Sequence, residues 1–244
     1  MKTMHKEAIV KLTLSLALVL NIGFWFSVRD TQAYWENVPP APSEKYASIY
    51  GMGDKSLAYR MNGVMIQNMG DTGGRSSSLV DYDYDRLTRW FFLQDKLDPI
   101  SNYIPYLATF YFGAVQEPEK FRPVLAYLEE VGIRPYGEKW RWLVYAIHIT
   151  KDNINDKDKA LEIANLLSRS KHPDMPNWTQ QMPAFVMTDA GDKESAYALM
   201  VEILKSSAEK LHPNEVRSMR IYICTQILEP EEAKRDALCE GMNE

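Results

Sequence analysis

In the stretch DKESAYALMVEILKSSAEKL, residues 192–211, apolar positions recur every three or four residues. Ala196, Leu199, Met200, Ile203, Leu204 and Ala208 share one face, as an amphipathic helix requires. Asp192 stands ahead of them as an N-cap. Residues 157–168 repeat the theme with Ala160, Ile163, Ala164 and Leu167. No run of alternating residues is bounded by hairpin turns, so the pattern predicts an all-α chain.

The N-terminal pattern differs. Residues 12–28, LTLSLALVLNIGFWFSV, form an uncharged run of 17 behind Lys2, Lys6 and Lys11. That length is at the lower edge of a bilayer span, and residues 8–10 with a snorkelling Lys11 extend it. Phe24, Trp25 and Phe26 fall where an interfacial aromatic belt lies, and the lysines predict a cytoplasmic N-terminus. The competing reading is a signal peptide cut after Thr31-Gln32-Ala33. Arg29, Asp30 and the bulky aromatics just before that step favour an uncleaved anchor. Either way the bulk of the chain is exported.

Three segments follow: an anchor or signal over 1–33, a tether over 34–50 and a helical domain over 51–244. The tether rests on ENVPPAPSEK, residues 36–45, whose prolines favour extended chain. Within the domain, Pro99, Pro135, Pro173 and Pro213 close KLDP, GIRP, SKHP and KLHP, separated by 36, 38 and 40 residues. Each follows an amphipathic helix and precedes a helix start, where a missing N–H does no harm. A period of this size means a stacked helical array.

At these residues the chain resembles the tetratricopeptide repeat family. Trp140, Leu143, Val144 and Ile147 fit the spacing of that family's first helix, although Val144 is larger than the usual small residue. Trp178, Gln181, Met182 and Phe185 keep the spacing with substitutions. Ile104, Leu107, Ala108 and Tyr111, and upstream Tyr59, Asn62, Gly63 and Ile66, do the same. Second helices match at Leu87, Phe91 and Pro99, at Ala160 and Ala164, and at Ala196 and Met200. The resemblance implies a right-handed solenoid of about five antiparallel hairpins, near 55–98, 101–133, 137–171, 176–211 and 214–241. No unit carries every signature residue, and another all-α repeat or an irregular bundle would share much of this pattern. On this reading the aromatic run of residues 97–116 is a first helix. It is not a second span, since Pro105 interrupts it and Glu117, Lys120 and Arg122 follow closely.

Composition adds exclusions. A net charge of -5 and a pI near 5.5 argue against nucleic-acid binding, which needs a basic face. Asp71-Thr72-Gly73 is the tripeptide of aspartic proteases, but it has no second copy and no flanking strands. GDTGGRSSS lacks the lysine and spacing of a phosphate loop. Asp81, Asp83 and Asp85 begin like a calcium loop without its Gly and closing Glu, and read instead as helix-capping acids. The loop over 69–85 remains a surface candidate for binding. His5, His148, His172 and His212 are scattered. No catalytic, cofactor or metal residue is assigned.

Cys224 and Cys239 flank Glu229-Pro230, the turn of the last hairpin. Helical rise puts their axial offset at roughly 7 Å, the edge of disulfide reach. A bridge, two buried thiols and an intermolecular or redox role all stay open.

The resemblance implies protein–protein interaction through a concave groove. Trp90, Phe91 and Phe92 are consecutive, and Trp140 and Trp142 lie two apart, so one of each group should lie on a groove or a neighbouring unit, with core packing against adjacent hairpins as the stronger alternative. The groove candidates are Trp90, Tyr103, Tyr111, Trp142 and Trp178. The expected role is a scaffold or assembly factor binding protein partners of an envelope complex. It would be a single-pass protein of a bacterial inner membrane, with its C-terminal domain in the periplasm. A structural subunit of a larger membrane machine and an enzyme with dispersed residues are the alternatives.

Overall fold

The computed structural model describes residues 2–30, 37–71, 76–207 and 211–241, and before Ile9 only the side chain of Lys6. The Thr31-Gln32-Ala33 step, Glu36, the Thr72 and Gly73 of the protease-like tripeptide, and Ala208 lie outside the described residues. The chain forms two compact units, residues 1–36 and 37–244. No strand occurs among the described residues.

The first unit is helix α1, Lys2–Val28. Its segment Ile9–Val28 is long and apolar enough to cross a membrane, with 20 residues at mean hydropathy 1.9. At 1.5 Å per residue this is about 30 Å, the thickness of a hydrocarbon core. Two of its hydroxyls are satisfied within the helix: Thr13 donates to the Ile9 carbonyl and Ser27 to the Phe24 carbonyl. Arg29 lies over the Phe26 ring, 4.8 Å from its centroid.

In the second unit α2 (Glu44–Ile49) and α3 (Lys55–Gln67) lead to α4 (Tyr84–Leu97). Next come α5 (Tyr103–Tyr106), α6 (Arg122–Gly132), α7 (Trp140–His148), α8 (Lys157–Arg169), α9 (Met182–Ala190) and α10 (Lys193–Ser207). The chain closes with α11 (Pro213–Tyr222) and the short α12 (Pro230–Ala233). Each helix packs chiefly on those next to it: α3 on α4, α4 on α6, α6 on α7, α7 on α8, α8 on α9 and α9 on α10.

Local chemistry sets these boundaries. Asp54, Asp83 and Asp156 cap α3, α4 and α8 by accepting from free backbone N–H groups. Asp192 accepts from Ser195 N at the start of α10. His212 caps α11 through its Nδ1, with Glu215 reaching back to the cap N–H, a reciprocal capping box. Of the four periodic prolines only Pro213 begins a helix; Pro99, Pro135 and Pro173 sit in the turns ahead of one.

Three helices loosen into a π-helical turn at their ends: Leu107–Tyr111 after α5, Ile149–Asn153 after α7 and Ile223–Ile227 after α11. Thr109, Thr150 and Thr225 in these turns each donate to the carbonyl four residues back. Thr188 does so in α9 and the Asn68 amide does so after α3. Such back-bonding bends helices.

One expectation changes and one open alternative is settled. Residues 37–50 are not a free tether. Val38 is buried, Trp90 Nε1 donates to the Pro39 carbonyl at 2.8 Å, and Ala47 packs in the core beneath α2. Asn37 donates to the Asp81 carbonyl and accepts from Ser77. Prolines fix the extended shape of this segment, but the surface it meets decides whether it stays free. Cys224 and Cys239 form a disulfide with Cα atoms 5.8 Å apart.

Two outcomes are expected here. A Cβ on Gly132 would lie 2.4 Å from Leu143 Cγ where α6 meets α7. Gly132→Ala should therefore lose about 1–3 kcal/mol by overpacking, against about 1 kcal/mol regained in helix propensity, and urea unfolding would read the net loss. The bridge closes a separation of 15 residues, so its reduction should lower stability by about 3 kcal/mol, seen as a fall in melting temperature.

Candidate functional site

Beneath the junction of α4, α6 and α7 lies a buried polar cluster. Lys139 has no exposed surface, and its Nζ donates to the Ser101 carbonyl at 2.6 Å. Asp95, also buried, pairs with Arg134. Gln94 and the Tyr127 hydroxyl are buried beside them without hydrogen-bond partners among the described residues. Burial pushes the Lys139 ammonium down to about 8, with Asp95 opposing the shift. Burial raises Asp95, and Arg134 opposes that. The cluster joins the end of α4, the turn after Asp98, the end of α6 and the start of α7. Lys139, Asp95, Gln94 and Tyr127 are buried and only Arg134 reaches solvent in part, so the cluster acts as a joint.

Above this joint the surface is aromatic. Tyr106 and Phe110 stand four residues apart on α5 and its π-helical continuation, with ring centroids 4.9 Å apart. Phe110 meets Tyr145 of α7 edge-on at 4.8 Å, and Tyr145 meets Trp142 at 5.8 Å. Tyr106 is 52% exposed and Phe110 46%. A cavity of about 260 Å³ lies between α7 and α9, lined by Trp178, Met182, Phe185, His148, Lys151 and Asp189 among others. Lys151 pairs with Asp189 across its rim, and that contact raises its pKa. Phe185 then meets Tyr222 of α11 at 4.6 Å. Contiguous exposed apolar surface with a polar rim is suited to holding another macromolecule or an apolar ligand.

The five sequence candidates divide. Trp178 is exposed at the mouth of that cavity, edge-on to Trp140 at 5.9 Å. Tyr111 is exposed and packs on Phe112. Tyr103 is half-buried against Gly63, its hydroxyl donating to Gln67 Oε1 at 2.8 Å. Trp90 and Trp142 are not surface residues. Trp90 is covered by residues 38 and 39, and Trp142 is buried with Nε1 on Asn102 Oδ1 at 2.8 Å. Phe91 and Trp140 are buried too and Phe92 is half-buried, so neither aromatic group sends a fully exposed member outward. Packing on several sides of α4 and α7 accounts for this.

Compared with known proteins, the chain matches no family model, no curated protein and no solved structure.

Sequence reasoning missed Tyr106, Phe110 and Tyr145. The signal was present: Tyr106 and Phe110 lie off the face of Ile104, Leu107 and Ala108, which the repeat pattern sends inward. In the 69–85 loop, the described residues serve structure. Asp83 caps α4, and the Tyr82 hydroxyl donates to the Met69 carbonyl. Among the described residues no group of three or more His, Cys, Asp or Glu converges on a metal position.

The buried lysine sets a pH dependence. Folded, Lys139 loses its proton near 8, against an ordinary value of 10.5 in the unfolded chain. Between these values the unfolded state binds more protons, so stability rises with pH. Tyr59 and Tyr82, pushed up to about 12 by burial, act in the opposite sense above pH 10. From pH 8 to 9.5 the native chain should therefore gain stability relative to Lys139→Met, on the order of 1–2 kcal/mol, read from urea midpoints of both proteins.

Proposed function

We propose that this chain is a membrane-anchored scaffold or assembly factor that binds protein partners of an envelope complex. Its domain would be a tetratricopeptide-like array of about five hairpins, with the aromatic band on its first helices as the recognition surface. The band Tyr106–Phe110–Tyr145 carries the reading. Three large rings in a chain of contacts through Phe110 are left partly in solvent on two neighbouring helices, and aromatic anchors dominate protein–protein hot spots. The recurrent back-bonding of Asn68, Thr109, Thr150, Thr188 and Thr225 supports a repeated unit.

The setting is a single-pass protein of a bacterial inner membrane, N-terminus cytoplasmic and domain periplasmic. Lys2, Lys6 and Lys11 in the N-terminal part of α1 support that orientation. The Cys224–Cys239 bridge supports an oxidising compartment for the domain.

Crosslinking of the tagged full-length protein in its membrane, followed by mass spectrometry, tests this. Crosslinks from residues 101–211 to a small set of envelope proteins are expected. Phe110→Ala with Tyr145→Ala should weaken capture by about 2 kcal/mol per ring, roughly 30-fold for each, with circular dichroism unchanged. Full capture by the double variant would overturn the assignment.

A further inference from the structure

The corner between α2 and α3 is built to display apolar side chains. Tyr46, Ile49 and Tyr50, at spacings of three and four residues, lie along the outer side of α2, all exposed, while Ala47 faces the core. The turn that follows is rigid. Gly51 N and Gly53 N both donate to the Ser48 carbonyl, Met52 N to the Ile49 carbonyl and Asp54 N to the Gly51 carbonyl. A Cβ on Gly51 would stand 2.3 Å from the Asp54 carbonyl oxygen and 2.5 Å from Ala58 N, so only glycine fits. Met52 is held at φ +52, left-handed backbone that a residue with a side chain seldom adopts. The result is a methionine 89% exposed at the tip of a fixed turn. Strain of this kind persists where surrounding structure imposes it and clusters at functional positions.

The charges around the corner lean positive. Glu44 is paired with Lys55 at 2.7 Å. The Asp54 carboxylate accepts from Ser56 N and Leu57 N as the cap of α3 and keeps its charge. With Lys45 and Arg60 the corner carries a net charge of +1 in a chain of net charge -5. Tyrosines with an apolar body and a polar tip, aliphatic side chains and lysine or arginine are the residues that settle at a bilayer interface.

Chain length adds a second argument. Nine residues separate Val28, the last of α1, from Val38, which is already packed in the domain. Fully extended, ten peptide steps reach about 35 Å. An attachment this short makes docking on the same bilayer effectively intramolecular.

We infer that the α2–α3 corner, with Met52 at its tip and Tyr46, Ile49 and Tyr50 beside it, is a second membrane contact that seats in the phospholipid interface. This rests on α1 being a bilayer span. The contact would hold the domain in a fixed attitude on the bilayer and leave the aromatic band to partners.

The test uses the full chain with its disulfide intact, nitroxide-labelled at Met52→Cys and reconstituted in phosphatidylcholine–phosphatidylglycerol vesicles. Collision rates with oxygen and with a water-soluble nickel chelate are compared with those of Leu16→Cys in α1 and Asp174→Cys on the domain. Expected is a several-fold loss of nickel collisions at position 52 relative to 174, with oxygen collisions retained. An Ile49→Cys label should read the same environment and substitutes if the strained turn does not accept a label. Nickel collisions equal to those at 174 overturn the inference while a lipid-buried Leu16 label leaves the anchor standing. A Leu16 label in water overturns both. Protection from both reagents, with label–label broadening that grows with protein-to-lipid ratio, assigns the corner to a second copy and overturns the lipid contact.

Discussion

The domain depends on keeping one cation out of water. Lys139 has no exposed surface, and its ammonium is held by the Ser101 carbonyl beside the Asp95–Arg134 pair. Breaking such a buried set by removing one partner typically costs about 3–5 kcal/mol, because the other charge stays buried and uncompensated. That penalty makes the joint specific. Its members come from α4, the turn after Asp98, the end of α6 and the residue ahead of α7. When they meet, the directions of α5 and α7 are fixed. The meeting of Phe110 and Tyr145 on the outside follows from a meeting of charges underneath.

Aromatic residues serve two ends here, and backbone geometry separates them. Phe91, Phe112 and Tyr127 pack ring to ring in the core, while Tyr106, Phe110 and Tyr145 form a contact chain in solvent. The π-helical turn Leu107–Tyr111 lies where the two sets part. Such turns change side-chain phase within one helix and occur often at functional sites.

Helical class was legible because amphipathic spacing leaves few alternatives: residues 157–168 bury Ala160, Ile163, Ala164 and Leu167, and residues 192–207 bury Ala196, Met200, Ile203 and Leu204 with Leu199 half-buried. The apolar segment of α1 and the cap at Asp192 were equally readable, since both depend on local chemistry. Long-range coverage was not. Nothing in the spacing of Trp90 shows that Val38 and Pro39 lie on it, so a packed residue looked available and a packed segment looked like a free tether. Helical rise alone placed Cys224 and Cys239 roughly 7 Å apart. The 5.8 Å observed reflects a π-helical turn at Ile223–Ile227 and a 3-10 turn at Ala237–Cys239 in place of straight helix. The exposed rings were hidden among so many aromatics that core packing accounted for them all.

The docked segment at 37–39 also gives the domain a mechanical character. A pull arriving from the N-terminal side meets Asn37 first, held to the Asp81 carbonyl and by Ser77, and then Pro39, clamped by Trp90. These bonds lie on the 77–81 stretch and on α4, so they stand between a pull and the core helices. Helix α2 is shielded from unravelling until the clamp slips. Its release would lengthen the leash by the run up to Glu44 before any core helix feels tension, which makes the segment a strain-relief coupling.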